Sequence, residues 1–143
     1  MPCNVLIVDD SPSMRAVIKK IIAISGFKMD KCLEANDGLE ALEVLAKDRA
    51  DIIISDIDMP RLDGFQLLGA LQEDNLFRNI PVIILSTGGS RAKKAEAFRH
   101  GAKGFVKKPF QPENVRAVLY EVLGMGKDRE YEEHERSDDG CDF

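Results

Sequence analysis

The sequence predicts a doubly wound α/β fold, in which five parallel strands form one sheet with helices on both faces. Three observations support this prediction. Short apolar runs alternate five times with segments whose apolar residues recur at helical spacing. Turn residues separate these segments, and such alternation with right-handed crossovers closes into a parallel sheet. The 143 residues also match the usual length of one domain, about 100 to 150 residues, and contain no internal repeat.

The first strand and helix are predicted within residues 4–26. Residues 4–8 form a continuous apolar run, which is typical of a strand buried on both faces, and two acids follow it. Ser11 is suited to cap a helix, Pro12 to occupy its first position and Gly26 to end it. We expect its inner side to carry Met14, Val17, Ile18, Ile21 and Ile22, with Arg15, Lys19 and Lys20 on the other side.

The second strand is the weakest of the five and is predicted over residues 29–34. Residues 36–38 then make a turn into a second helix, because the sequence Asn-Asp-Gly favours turns. The inner stripe of this helix is expected to contain Leu39, Leu42 and Leu45.

The third strand covers residues 52–55 and ends at Asp56. This strand consists of three isoleucines and one serine and contains no proline or glycine. It is therefore predicted to be buried on both faces. Pro60 and residues 63–64 then turn the chain into a third helix over residues 64–73. The inward residues of that helix are predicted to be Phe65, Leu68 and Leu71.

The last two units follow the same pattern. The fourth strand is predicted over residues 82–86, before a glycine-containing loop at residues 88–89 and a helix that Ser90 can cap. That helix runs to about His100, with Phe98 as a packing residue, and ends at Gly101. The fifth strand covers residues 104–108. The last helix is predicted from Pro112 to Leu123, with an inward stripe of Val115, Val118, Leu119 and Val122 and an end at Gly124.

Charge divides the chain into a balanced part and an acidic tail. Residues 127–143 contain eight acidic and three basic residues, which accounts for the whole formal net charge of −5. We therefore predict one domain over residues 1–124 and an acidic tail, residues 125–143, that is too poor in apolar residues to order alone. The balance in the domain argues against nucleic acid as a partner.

The cellular compartment is predicted from cysteines and hydropathy. The three cysteines are Cys3, Cys32 and Cys141, and their odd number and wide spacing argue against disulfides and a zinc site. No apolar run approaches the roughly 20 residues of a membrane span, and the N-terminus lacks the regions of a signal peptide. We expect a cytoplasmic protein that does not insert into membranes.

Polar residues collect where the predicted strands end. The carboxyl ends of parallel strands share one rim, which is where doubly wound sheets bind ligands. Asp56 taken alone could simply cap a turn, since aspartate is common in turns. The rim as a whole is expected to collect Asp9, Asp10, Asp56, Asp58, Ser86, Thr87 and Lys108.

The rim residues suit phosphoryl transfer. Converging carboxylates repel one another, so either one takes up a proton or a cation binds among them, and oxygen ligands without His or Cys favour Mg²⁺. We expect Asp10 to bind it directly and Asp9 through water, because adjacent side chains at a strand end point in different directions. Lys108 can pair with a phosphate, Ser86 offers a hydroxyl, and Asp56 can act as the nucleophile.

Four motifs lie at the ends of four predicted strands. They are Asp9-Asp10; Asp56-x-x-Met59-Pro60 with Asp63-Gly64; Ser86; and Lys108-Pro109-Phe110. Their joint order resembles the receiver domain of two-component response regulators, and most of all the stand-alone, chemotaxis-type (CheY-like) members with a flavodoxin-like (βα)5 fold. The resemblance covers residues 4–124.

The resemblance implies a function as a phosphoacceptor rather than a turnover enzyme. Asp56 would accept a phosphoryl group from a sensor histidine kinase or phosphotransfer protein. Mg²⁺ would be held by Asp10, Asp56 and the backbone carbonyl of Asp58, and Lys108 would contact the acyl phosphate. Ser86 and Phe105 occupy the switch positions. Phosphorylation would change how the surface formed by the fourth helix, fifth strand and fifth helix binds a downstream protein.

Three other functions fit parts of the sequence. Asp56-x-Asp58 is similar to the nucleophile and acid of haloacid-dehalogenase-type phosphatases, although those enzymes place the pair after the first strand. A flavodoxin-like FMN carrier shares the strand order. In the present sequence, however, two acids occupy the loop after the first strand, where binding of a phosphate needs backbone N–H groups. A degenerate receiver would act only as a binding module.

Overall fold

The computed structural model describes residues 3–86, 91–108 and 110–124. Within these residues, five strands alternate with five helices, as predicted. The strands are β1 (Val5–Val8), β2 (Cys32–Ala35), β3 (Ile52–Asp56), β4 (Val82–Ser86) and β5 (Gly104–Lys107). The helices are α1 (Pro12–Ser25), α2 (Gly38–Lys47), α3 (Gly64–Gln72), α4 (Arg91–Arg99) and α5 (Pro112–Leu123).

All five strands pair in parallel in one sheet, in the order β2-β1-β3-β4-β5. The chain therefore reverses its direction of travel across the sheet between β1 and β3. In doubly wound sheets this is the point at which the two adjacent crossovers lie on opposite faces and leave a crevice for a ligand. The predicted fold class is confirmed.

Each face of the sheet has its own apolar layer. Helices α2, α3 and α4 cover one face, where Leu6, Ile53 and Ile84 from the strands are fully or almost fully buried. Helices α1 and α5 cover the other face, over Val5 and Ile52 among others. Because helices cover both faces, apolar side chains are favoured on both sides of the central strands, which explains their nearly continuous apolar runs.

The predicted helix ends are largely confirmed by their capping contacts. The Ser11 hydroxyl accepts a hydrogen bond from the Met14 amide at 3.1 Å, with Pro12 at the start of α1. Gly26 ends α1 at φ 91°, and Gly101 follows α4 at φ 107°, which is left-handed backbone that favours glycine. The predicted Ser90 cap and the loop at residues 88–89 lie outside the described residues.

Some sequence predictions were wrong in detail. The second strand begins at Cys32 rather than at residue 29, because β2 lies at the sheet edge and its pairing with β1 starts only there. Val17 is 45% exposed and Leu39 is 40% exposed, so the inner stripes of α1 and α2 are narrower than predicted. In α2 the fully buried residue is Ala41, which lets the helix approach the sheet closely.

Two further predictions of side-chain position were wrong on α1 and α4. Phe98, which we expected to pack, is 42% exposed, whereas its neighbour Ala97 is completely buried. Neighbouring helical residues point about 100° apart, and α4 meets the sheet through the smaller of the two. Arg15 is not on a solvated side, since its side chain is only 12% exposed.

Gly64 brings the start of α3 against the end of β3. Its amide donates to the Ile57 carbonyl at 2.8 Å, and a Cβ at this position would lie 2.4 Å from the Asp56 carbonyl oxygen. We expect Gly64→Ala to destabilise the fold by about 2 kcal/mol, because backbone atoms at this distance cannot yield cheaply. Denaturant unfolding measures the change.

Gly69 in the same helix supplies the matched control. A Cβ there would have no atom of the described part of the chain within 4 Å. Gly69→Ala should therefore stabilise the protein, by up to about 1 kcal/mol, through helix propensity alone. Equal effects of the two substitutions would contradict the close approach at Gly64.

Among the described residues, no helix combines the length and the apolar character needed to span a membrane.

Candidate functional site

Polar side chains from four strands meet at the carboxyl edge of the sheet. Asp9 and Asp10 follow β1, Asp56 ends β3, Ser86 ends β4 and Lys108 follows β5. The strand register places these ends side by side: Val8 pairs with Ser55, Asp56 with Leu85, and Ser86 with Lys107. The amide of Lys108 also donates to the Ser86 carbonyl at 2.8 Å, which extends the ladder to the edge.

The three carboxylates form an acid cluster, consisting of Asp9, Asp10 and Asp56. One oxygen from each lies within 4.8 Å of the others. Asp9 is 2% exposed, whereas Asp10 is exposed. This difference in exposure is consistent with the expectation that the adjacent side chains of Asp9 and Asp10 point in different directions. Both residues bring an oxygen to the same place.

Lys108 lies between two of these acids. Its Nζ is 3.7 Å from Oδ1 of Asp56 and 3.8 Å from Oδ2 of Asp9. These distances exceed those of a hydrogen bond, so Lys108 acts on both carboxylates as a nearby point charge. Its side chain is 13% exposed, and this burial reduces solvent screening of the attraction.

The described protein groups do not satisfy every carboxylate oxygen of the acid cluster, which leaves a position suited to a cation. Oδ1 of Asp9 accepts a hydrogen bond from the Ser11 amide at 2.9 Å, but its buried Oδ2 has no hydrogen-bond partner within residues 3–86, 91–108 and 110–124. Burial raises the pKa of Asp9 above its usual range, although Lys108 opposes the rise. A buried carboxylate oxygen with an open coordination position, beside two further carboxylates, fits a hard divalent cation such as Mg²⁺.

Asp56 has a similar electrostatic environment. Burial raises its pKa, Lys108 lowers it and the nearby charge of Asp9 raises it further. Its Oδ1 accepts a hydrogen bond from the Ile57 amide at 2.8 Å, which orients the carboxylate at the strand end. A carboxylate that is oriented and partly desolvated can act as a nucleophile once its charge is balanced.

The remaining predicted residues lie around this group. Ser86 is buried with 4% exposure at the end of β4, and Phe105 on β5 is half-buried against the core layer beneath α4. Asp58 is exposed in the loop after β3. Thr87, also expected at this rim, lies outside the described residues. The roles assigned to these residues remain predictions.

An ion pair connects the loop after β3 to the turn before α2. Arg61 donates from Nε to Oδ2 of Asp37 at 2.8 Å and from Nη2 to Oδ1 at 3.2 Å. Arg61 adopts left-handed backbone at φ 64°, which is costly for a residue with a Cβ, so the ion pair helps to hold the loop. The Gly38 amide adds a bond of 3.0 Å to the Leu62 carbonyl. Sequence reasoning did not identify Arg61, because an isolated arginine in a turn carries no positional signal.

This ion pair predicts a pH dependence of stability. The hydrogen bonds from Arg61 hold the pKa of Asp37 below its usual range. Ionised Asp37 therefore stabilises the folded state above its unfolded pKa of about 3.9, and this contribution is lost as the pH falls through the lower folded-state pKa. In Asp37→Asn, which keeps the helix-capping oxygen, we expect reduced stability at neutral pH and a difference from wild type that shrinks in acid.

Urea unfolding at a series of pH values measures that difference. Asp48→Asn is the control, because Asp48 makes an exposed ion pair of 3.5 Å with Lys31 and should change stability little at any pH. A deficit in Asp37→Asn that stays constant down to acid pH would show that charge plays no part.

His100 follows the last residue of α4, where the helix was predicted to end. Its Nδ1 lies 2.8 Å from the Glu96 carbonyl in the last turn of α4, and its ring stacks on Phe65 with centroids 4.8 Å apart. Both contacts are structural.

Comparisons with known proteins identify the family. The response regulator receiver domain family matches residues 5–120. Chemotaxis protein CheY1 of Helicobacter pylori is 36% identical over 122 residues, which cover 85% of this chain and 97% of that protein. The structure of the chemotaxis response regulator CheY4 of Vibrio cholerae has a TM-score of 0.75 at 36% identity, over 85% of this chain and 99% of that one.

A second similar structure was solved with a partner. It is the CheX-CheY-BeF3-Mg²⁺ complex from Borrelia burgdorferi, with a TM-score of 0.75 and 32% identity, covering 86% of this chain and 90% of that one. The family match, the sequence relatives and the shared fold agree with the predicted resemblance. The chain belongs to the response regulator receiver domain family of two-component signalling.

Proposed function

We propose that this receiver domain accepts a phosphoryl group on Asp56 from a sensor histidine kinase or a phosphotransfer protein, with Mg²⁺ as the cofactor. The convergence of the acid cluster with Lys108 is the observation that carries the proposal. Asp56 is the member of the cluster that ends the central strand β3, and its Oδ1 is the acidic oxygen nearest to Lys108 at 3.7 Å. The Mg²⁺ of the similar CheX-CheY complex also supports it.

The chemistry is a displacement at phosphorus. A carboxylate oxygen of Asp56 attacks the phosphorus atom and forms an O–P bond, while the bond from phosphorus to the donor atom breaks and that atom keeps the electron pair. Lys108 offsets negative charge on the phosphoryl oxygens as they approach. Asp10, Asp56 and the Asp58 carbonyl would hold Mg²⁺, with Asp9 acting through water. When bound, the ion neutralises charge on both the acids and the phosphoryl group.

Phosphorylation would be read out at the surface formed by α4, β5 and α5. The buried Ser86 hydroxyl lies one strand away from Asp56, and Phe105 lies in the next strand beyond it. Movement of Ser86 toward a phosphoryl group would leave space for Phe105 to turn inward and change this surface. The exposed bases Arg91, Lys94 and Arg99 on α4 favour a downstream protein with an acidic surface.

The proposed domain ends near residue 124, and the acidic tail at residues 125–143 lies outside the described residues. We place the protein in the cytoplasm, which agrees with the free thiols of Cys3 and Cys32. Its chemistry is limited to transfer onto and slow loss from Asp56. Membership of the receiver family speaks against the phosphatase alternative, which would turn over many equivalents of a monoester.

Mass spectrometry of the intact protein after incubation with acetyl phosphate tests the proposal. We expect one added phosphoryl group in wild type with Mg²⁺, little without Mg²⁺ and none in Asp56→Asn. Asp30→Asn, which changes an exposed acid away from the rim, is the control and should label like wild type. Full labelling of Asp56→Asn would refute the proposal, and catalytic release of phosphate from a monoester would favour the phosphatase.

A further inference from the structure

We propose that Arg15 is a positioning residue for the acid cluster, because it ties the main chain between Asp9 and Asp10 to the turn between β2 and α2. The inference rests on the proposed function, since the cluster is where Mg²⁺ would bind. It concerns a residue that would contact neither the ion nor the phosphoryl group.

Arg15 makes three close hydrogen bonds from a largely buried side chain. Its Nη1 donates to the Asp9 carbonyl oxygen at 2.6 Å and to Oδ1 of Asn36 at 2.8 Å, and its Nε donates to Oε1 of Glu34 at 2.7 Å. The side chain is 12% exposed. A planar guanidinium can satisfy several acceptors at fixed angles, which a flexible ammonium cannot do.

The acceptors belong to different parts of the fold. Arg15 itself lies in the first turns of α1, where its amide donates to the Ser11 carbonyl at 3.0 Å. Glu34 is in the edge strand β2, and Asn36 lies in the turn after this strand. The Asn36 amide donates a hydrogen bond to the Glu40 side chain. One side chain therefore connects α1, the end of β1 and the β2–α2 turn.

The bond to the Asp9 carbonyl is the important one for the site. This carbonyl belongs to the peptide group that joins Asp9 to Asp10, so fixing it limits rotation of the peptide plane between the two acids. β1 ends at Val8, so the Asp9 carbonyl lies beyond the strand. It accepts its hydrogen bond from Arg15 and not from a neighbouring strand. Arg15 supplies the restraint that keeps both carboxylates directed toward Asp56.

Charge and positioning predict opposite effects when Arg15 is removed. A guanidinium near three carboxylates repels a divalent cation, so loss of its charge alone would strengthen Mg²⁺ binding. Loss of the restraint would weaken Mg²⁺ binding, because the ligands would have to be ordered when the ion binds. The direction of the change therefore separates the two roles.

Isothermal titration of the full chain with Mg²⁺ measures this direction. We expect Arg15→Met to weaken Mg²⁺ binding about 10-fold, as is typical when a residue supporting metal ligands is lost. Arg15→Lys, which keeps the charge but cannot satisfy all three acceptors, should also bind Mg²⁺ more weakly than wild type. Arg49→Met is the control, because Arg49 pairs with Asp51 at the opposite end of the sheet and should leave binding unchanged.

Two further measurements keep the test decisive. Circular dichroism without Mg²⁺ verifies folding. If Arg15→Met does not fold, Asn36→Ala removes a neutral acceptor of Nη1 without changing any charge, and it should also weaken Mg²⁺ binding. Unchanged or tighter binding in a folded Arg15 variant would overturn the inference. If wild type binds Mg²⁺ but Asp56 is not phosphorylated, the proposed function fails while the effect of Arg15 on Mg²⁺ affinity still stands.

Discussion

Asp9→Asn is expected to raise the stability of the protein without Mg²⁺ and to reduce strongly its stabilisation by Mg²⁺. Among the described residues, no group forms a hydrogen bond with the buried Oδ2 of Asp9, and burial raises the pKa of Asp9 despite the attraction of Lys108. Replacing this charge by a neutral amide should stabilise the fold by about 1 kcal/mol or more. For a domain of this size that corresponds to a rise in Tm of about 3 to 5 °C.

The pH dependence of this effect has a defined sign. The folded-state pKa of Asp9 is raised, so its ionised form destabilises the fold at neutral pH. The penalty disappears as the pH falls through the raised pKa and is gone below the unfolded value of about 3.9. The advantage of Asp9→Asn over wild type should therefore be largest at neutral pH and shrink in acid.

Thermal unfolding with and without Mg²⁺ measures both parts of this prediction. Wild type should gain stability as Mg²⁺ is added, because the ion would bind only the folded acid cluster, whereas Asp9→Asn should gain much less. Asp30→Asn serves as the control and should behave like wild type in both conditions. A lower Tm for Asp9→Asn at neutral pH without Mg²⁺ would contradict the account of an unsatisfied buried charge.

Lys108→Met is expected to slow labelling by acetyl phosphate about 100-fold or more, the usual effect of losing one preorganised charge at a reacting group. The Lys108 Nζ lies within 4 Å of both Asp56 and Asp9, and its loss would leave incoming phosphoryl oxygens facing carboxylates. Mg²⁺ should bind at least as tightly as in wild type, since a competing cation has been removed. The defect should therefore persist at saturating Mg²⁺.

The neighbouring lysine provides a matched control. Lys107 is exposed at the end of β5, and Lys107→Met removes the same charge one residue away. Quenched labelling time courses followed by intact mass should show nearly wild-type rates for this variant. A similar loss of rate in both variants would mean that overall charge, rather than the position of Lys108, controls the reaction.

The sequence was sufficient for most of the fold because the central strands are buried on both faces. Their continuous apolar runs leave little ambiguity about β1, β3 and β4. The edge strand β2 has a neighbour on one side only, so its pattern is weaker and its start was misplaced. Which residues of each helix face the sheet was harder to predict, because an apolar residue at the margin of a stripe does not reveal how the helix is rotated. Val17 and Leu39 were predicted to face inward and are exposed.

The candidate site was predictable where strand ends determine position. Asp9 and Lys108 directly follow β1 and β5, and Asp56 is the last residue of β3, so the parallel sheet alone brings them together. Arg15 and Arg61 were missed because their partners depend on loop geometry. A signal for Arg15 was present: it lies four residues after the cap Ser11, on the turn of α1 nearest to the rim.

Trapping the modified residue with borohydride tests the central claim most directly. Hydride reduces an acyl phosphate to the corresponding alcohol, so a phosphorylated aspartate becomes homoserine. Tryptic digestion after Arg49 and Arg61 releases residues 50–61, which contain Asp51, Asp56 and Asp58. After treatment with acetyl phosphate and Mg²⁺, fragmentation of this peptide should place homoserine at Asp56 alone. Homoserine at another residue, or none in a protein that has gained a phosphoryl group, would contradict the proposed phosphoacceptor.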